Sequence, residues 1–166
     1  GASTFSDWWA YKYEVNDAIP HNGSLLNDMG IVTAFNSDDA EMARRLNQEA
    51  GKAVKYGNTS EEDAWKFVTL NPAKLLHIEH KVGSLKTGKD ADLVLWSGHP
   101  MSIYSKVEQT YVDGCLYYSL SIDRENRERN EAERNRLIQK MLGEKSSGSS
   151  NQKVTKDRSY HFHCDD

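Results

Sequence analysis

The spacing of apolar positions changes several times along this chain. Residues 4–13 are dense in aromatics, Phe5, Trp8, Trp9, Tyr11 and Tyr13, as expected of a buried strand leading into a loop. Residues 16–29 read as a weak helix interrupted by Pro20 and Gly23 and ended by Gly30. The short continuous apolar run at 31–35 predicts a parallel strand covered on both faces. Beyond it, from Asn36, Ser37, Asp38 and Asp39, a long helix is expected. Ala40, Ala43, Leu46, Ala50, Ala53 and Val54 recur at steps of three and four, and Gly57 ends the pattern. Thr59 and Glu62 form a capping-box pattern for a helix carrying Ala64, Trp65, Phe67, Val68 and Leu70. Asn71 then reads as the N-cap of one more turn, with Pro72 at its first position.

The period next shifts from helix to strand. Residues 91–96 predict a buried strand. Residues 107–112 and 115–118 flank Asp113 and Gly114, a pair suited to a two-residue hairpin turn because both can take positive φ. Residues 123–142 predict a charged helix. Its first half is solvated, and its second half docks through Leu137, Ile138, Met141 and Leu142. Residues 143–158 have the Ser, Gly and Lys content of a flexible linker, and 159–166 close the chain. There is no internal repeat. Strand and helices followed by a small antiparallel unit describe an α/β segment joined to a β-rich one.

Composition narrows the function classes. The 166 residues support one good core. A net charge of −4, with 28% charged and 37% apolar residues, carries no bias towards nucleic acid or an anionic membrane. No apolar run approaches the roughly 20 residues of a membrane span. Cys115 and Cys164 make neither a disulfide framework nor a CxxC site. The compartment stays open.

Asp38 is the sharpest chemical candidate. A carboxylate at the carboxyl end of a parallel strand points into the mouth of a barrel, where it can ligate a metal or move a proton. The same four residues, Asn36 to Asp39, are also good N-capping chemistry. A second candidate lies in the tail. His161 and His163, at i and i+2, face one side of an extended segment beside Cys164, Asp165 and Asp166, and could converge on a metal; an ordinary strand is the plainer account. His21, His77, His80 and His99 are scattered, and His77 and His80 are expected to face solvent. Trp8, Trp9, Trp65 and Trp96 are expected to fill core. Gly83, Gly88 and Lys89 lack Walker spacing and read as turn residues.

One stretch carries a resemblance: Val82-Gly83-Ser84-Leu85-Lys86-Thr87-Gly88-Lys89-Asp90-Ala91-Asp92-Leu93-Val94-Leu95-Trp96, preceded by Leu70-Asn71-Pro72-Ala73-Lys74-Leu75-Leu76. It resembles the C-terminal end of the amidohydrolase superfamily, the imidazolonepropionase-like metal-dependent hydrolases. The likeness extends over roughly residues 2–120. It implies the C-terminal part of a (β/α)₈ TIM barrel joined to part of a small β-sandwich domain, then a charged helix and a tail. The implied divisions are 1–76 for the last strands and helices of an incomplete barrel, 77–120 for part of the β-sandwich, 121–142 for the charged helix and 143–166 for linker and tail. A complete barrel takes about 250 residues. Residues 31–35 look like the eighth barrel strand. Asp38 then takes the place of the family's metal-binding, proton-shuttling Asp, with Asp39 as the alternative if the register shifts by one.

The departures from the family pattern are equally informative. The family's His-x-His pair, its bridging Lys or Glu and two further His have no place in the barrel-like part. The N-terminal strands that complete the family's β-domain are also missing. The resemblance therefore implies a fragment of a hydrolase acting on C–N bonds, in a cyclic amide or amidine or a small peptide-like amide, and inactive alone. A divalent metal, zinc, belongs to the complete enzyme. Partners are the remaining N-terminal part of the same protein, or a second copy, and a small-molecule amide. The rival expectations are a non-catalytic scaffold or interaction module, and a tail metal-binding site.

Overall fold

The computed structural model describes residues 1–146 and Gly148. It places Gly1–Asp123 in one compact unit and the rest of the described chain in a second. The first unit is mixed α/β and contains two small sheets. Strand β1 (Ala2–Thr4) pairs in parallel with β2 (Thr33–Phe35), Ser3 opposite Ala34. Between them lie a turn-rich loop, a single 3₁₀ turn (Tyr13–Val15) and α1 (Asn22–Asp28). After β2 come α2 (Ala40–Ala43), α3 (Leu46–Gly57), α4 (Glu61–Lys66) and α5 (Leu70–Leu75). An antiparallel sheet follows, with β3 (Leu93–Trp96), β4 (Val107–Val112) and β5 (Cys115–Ser119) in sequential order.

The expected parallel strand is present, shortened to Thr33–Phe35, and all three of its residues are buried. Phe35 sits edge-on to Phe67, ring centroids 5.2 Å apart, and both pack with Ala53 and Ala64. Val54, Val68 and Met101 close this core from its sides. One edge of β2 is taken by β1. On the opposite edge the Phe35 N–H donates to the Phe67 carbonyl at 2.8 Å, and Asn71 Nδ2 donates to the Thr33 carbonyl at 2.8 Å. The turn from α4 into α5 thus satisfies backbone groups on the edge where a neighbouring strand would pair.

Several local expectations are corrected. The strand at 4–13 ends at Thr4, because Ser6 and Asp7 turn aside to bond α3. The long helix after Asp39 breaks at Arg44 and Arg45 into α2 and α3. α3 ends at Gly57, as expected, but the left-handed residue that caps it is the next one. That cap is Asn58, in the left-handed region at φ 55°. Gly57 is required for close approach, since a Cβ there would lie 1.7 Å from Ser24 Oγ. The cap of α4 is Ser60, accepting from the Asp63 N–H, while Thr59 is buried and donates to Ser24 Oγ at 2.6 Å. Asn71 is not an N-cap: it lies inside α5, where its amide serves β2.

The hairpin at Asp113 and Gly114 forms as expected, with φ 50° and 75° and Val112 opposite Cys115. The strand expected to be buried at 91–96 is only partly so, with Val94 and Leu95 exposed. The reason is that the described β-rich part is a single three-stranded sheet, with no second sheet laid over it among the described residues. The turn before β3 is held by Lys89, whose ammonium donates to the Val82 carbonyl and to Ser84 Oγ. Gly83, at φ 84°, lies so near Ala73 that a Cβ would come within 2.8 Å of it. These bonds support the turn reading of Gly83, Gly88 and Lys89.

Helix α6 (Leu120–Ser146) runs out of the first unit and makes up nearly all of the second that is described. It is patterned by charge, including a two-bond Arg136–Glu133 pair at 2.7 Å. Leu137, Ile138, Met141 and Leu142 are all exposed, and no residue of α6 is buried. No helix among the described residues is long and apolar enough to cross a membrane.

Candidate functional site

The two parallel strands end together, and the loops leaving their carboxyl ends meet. The Asn36 N–H donates to the Thr4 carbonyl at 3.1 Å, and Ser3 Oγ donates to Asn36 Oδ1 at 3.0 Å. Asn22 Nδ2, from the first turn of α1, donates to Thr4 Oγ1 at 2.8 Å. These bonds fix the chain on the near side of Asp38. On its far side, Asp39 caps α2: its Oδ1 accepts from the Met42 N–H at 2.8 Å, and its backbone exchanges bonds with Ser37 Oγ.

The two acidic candidates are thereby told apart. The capping function expected of this segment falls on Asp39. Asp38 is exposed and makes no hydrogen bond or ion pair with any described residue. Its carboxylate stands free between two anchored neighbours, three residues past the carboxyl end of β2.

Sequence reasoning passed over a charged cluster beside this site. Glu49 is 4% exposed although it is acidic. Its carboxylate accepts from Ser6 Oγ, and both of its oxygens accept from the Lys52 ammonium, at 2.8 and 2.9 Å. Lys52 also reaches Asp7 at 2.9 Å. Burial pulls the Lys52 pKa down, but its bonds and charge attraction to Glu49 and Asp7 prevail, so it stands above the ordinary lysine value. The cluster ties the loop after β1 to α3. The signal was in the helix pattern: Glu49 interrupts the apolar stripe between Leu46 and Ala50, with Lys52 one turn on.

The aromatic residues of the same loop do not all fill core. Trp8 is half-buried, stacked on Phe5 with centroids 4.3 Å apart, and its Nε1 points to Met42 Sδ at 3.3 Å. Trp9 is exposed, against expectation, because the turn after Trp8 directs it outward. Trp65 and Trp96 are half-buried. His77 and His80 face solvent, as expected, and His99 lies 3.2 Å from Glu61 at the surface.

The described residues do not by themselves fit a metal centre. Among the described residues no three of His, Cys, Asp and Glu come together, whereas a catalytic zinc takes three protein ligands. His161 and His163 lie outside the described residues. A groove of about 1120 Å³ lies between the helices and the antiparallel sheet, walled by Trp65, Leu70, Leu93 and Trp96 among others. Neither Asp38 nor Asp39 lines it.

The sequence profile described as "Amidohydrolase family" matches residues 16–119, more than half of the chain. The chain is 32% identical to amidohydrolase tasK of Hapsidospora irregularis over 115 residues, which is 69% of this chain and 12% of that protein. It is 30% identical to the urease alpha subunit of Laribacter hongkongensis over 117 residues, 60% of this chain and 20% of that subunit. Among solved structures, an amidohydrolase from Thermotoga maritima superposes with a TM-score of 0.59 at 38% identity, over 70% of this chain and 29% of that one. The chain thus spans about a fifth or less of these two curated relatives and under a third of the solved one.

Proposed function

This chain belongs to the amidohydrolase family, and from that premise we propose that it is the C-terminal portion of a hydrolase acting on C–N bonds. The substrate class is a cyclic amide or amidine, or a small peptide-like amide. Asp38 takes a proton from the attacking water and delivers it to the leaving nitrogen. The observation that carries this reading is the partnerless Asp38 at the carboxyl end of a parallel strand, with the capping work done next door by Asp39. Active sites of barrel enzymes lie at that end. The resemblance implies a divalent metal, zinc, in the complete enzyme. Any ligation by Asp38 needs further ligands from the part of the protein outside this chain.

The reading predicts that the purified 166-residue chain has no amidase activity, while the full-length protein hydrolyses members of a panel of five- and six-membered cyclic amides and dipeptides. Turnover by the chain alone that a chelator abolishes would show the site to be complete here. A full-length protein inert on the whole panel would sink the C–N assignment.

The natural partner in this proposal is the rest of the same protein. Among the described residues, strands β1, β3 and β5 each have an edge with no strand beside it, and such edges are templates for pairing. The groove between helices and sheet has a largely apolar wall, and exposed apolar surface of this kind drives association. The isolated chain is therefore expected to self-associate, or to bind its N-terminal part when the two are mixed. Light scattering checks this. A monodisperse monomer with a cooperative melt, indifferent to the N-terminal part, would contradict it.

A further inference from the structure

We propose that the buried Glu49 is a positioning residue for Asp38: through Ser6 it fixes the loop that follows β1, and that loop grips the Asp38 segment on both sides. The effect on turnover rests on the reading of Asp38 given above; the grip itself stands on bonds within this chain. On the near side of Asp38, the Asn36 N–H donates to the Thr4 carbonyl at 3.1 Å and Ser3 Oγ donates to Asn36 Oδ1 at 3.0 Å. On the far side, Trp8 Nε1 donates to Met42 Sδ at 3.3 Å, and the Met42 N–H is the group that Asp39 caps. Both outer contacts come from one stretch, Ser3 to Trp8. Ser6 and Asp7 lie between them and reach α3 instead. Ser6 is 2% exposed and donates to Glu49, and Lys52 joins Glu49 to Asp7. Phe5, stacked on Trp8, braces the span from one contact to the other.

The burial of Glu49 calls for such a role. A carboxylate is rarely buried, because taking it out of water costs more than most single pairings return. Apolar residues of similar volume often hold a fold as well as a buried ion pair, or better. What they cannot do is accept a hydrogen bond in a fixed direction. Glu49 accepts one from Ser6, two residues past the Thr4 carbonyl that holds Asn36. Helix α3, where Glu49 precedes the buried Ala50 and Ala53, supplies a packed base. A loop set on that base passes its position to residues 36–42 through contacts on each side of Asp38. Small displacements of a reacting group are costly, since a shift of about 1 Å can lower a rate 10²-fold.

Two variants of the full-length protein test this. Ser6→Ala cuts the link to Glu49 and leaves the Glu49–Lys52 pair in place, so no charge is stranded. Glu49→Leu made together with Lys52→Met keeps the packing and removes both charges. Each is expected to lower kcat on a cyclic amide by about 10- to 100-fold with KM unchanged. In hydrogen–deuterium exchange, peptides covering residues 36–42 should take up deuterium faster in both variants, while peptides over the β4–β5 hairpin stay as in the wild type. Combined with Asp38→Asn, Ser6→Ala should lower kcat no further, because the group it positions is already gone. Unchanged uptake over residues 36–42 in both variants would overturn the grip. An equal loss of kcat with and without Asp38→Asn would overturn the link to Asp38 and leave Glu49 a structural residue. Exchange also separates this proposal from the one on which it rests. If Asp38→Asn turns over like the wild type, the catalytic reading falls; faster uptake over residues 36–42 would then still uphold the grip, and unchanged uptake would overturn it.

Discussion

Asp38→Asn in the full-length protein is expected to lower kcat by about 10²- to 10⁴-fold, the usual contribution of a positioned acid–base group, with the melting temperature unchanged. The amide side chain cannot accept a proton from water, yet it has nearly the shape of the carboxylate. Since Asp38 bonds to no described residue, nothing in the described fold depends on its charge. The neighbouring position should give the reverse result. Asp39→Asn keeps the cap and should be silent in both rate and stability, because Asn caps a helix as well as Asp does. Asp39→Ala loses the bond to the Met42 N–H and should cost about 1 kcal/mol, with the rate per folded molecule intact. Steady-state kinetics and thermal melts on the three variants test the assignment. If Asp38→Asn turns over like the wild type, the carboxylate is an ordinary surface group. If Asp39→Asn is the dead variant, the register of the site is off by one.

That pair of aspartates shows what the sequence could and could not convey. Four polar residues after an apolar run announced both a cap and a candidate carboxylate, but not which residue does which. The choice depends on where the helix starts, a matter of one residue that the periodicity of Ala40, Ala43 and Leu46 leaves open. The same one-residue ambiguity moved the cap of α4 from Thr59 to Ser60. Elements whose evidence is local were legible, such as the Asp113 and Gly114 hairpin, whose backbone conformation few other residue pairs allow. Elements set by distant partners were not. Asn71 looked like a cap because its chain neighbours suit one, and its true partner, the Thr33 carbonyl, is 38 residues away. Gly57 does close α3, but the sequence could not show that its missing side chain also admits Ser24. The aromatic loop misled for a related reason: composition marks aromatics as core, and only the turns after Trp8 decide that Trp9 faces out.

The buried charges beside the site carry the largest expected effect on stability. Lys52→Met leaves Glu49, 4% exposed, with only the Ser6 hydroxyl among the described side chains to compensate its charge. Removing one partner of a buried pair typically costs 3–5 kcal/mol; Lys52 keeps some contact with solvent, so about 3 kcal/mol is expected here, a fall in melting temperature of roughly 10 °C. The pH dependence has a definite sign. The folded pKa of Lys52 is raised, so its contribution is fully present below the unfolded lysine value of about 10.4 and fades as the pH climbs through the higher folded value. The gap between wild type and Lys52→Met should therefore be flat from pH 7 to 9 and narrow only above about pH 10.4. A second substitution identifies the cause. If the penalty is a stranded carboxylate, Glu49→Gln made together with Lys52→Met should recover at least about 1 kcal/mol over Lys52→Met alone, since the orphaned charge is gone. Penalties that simply add would mean that Lys52 contributes through the packing of its methylenes, and that the loop bearing Trp8 and Trp9 is held by contacts other than this charge cluster.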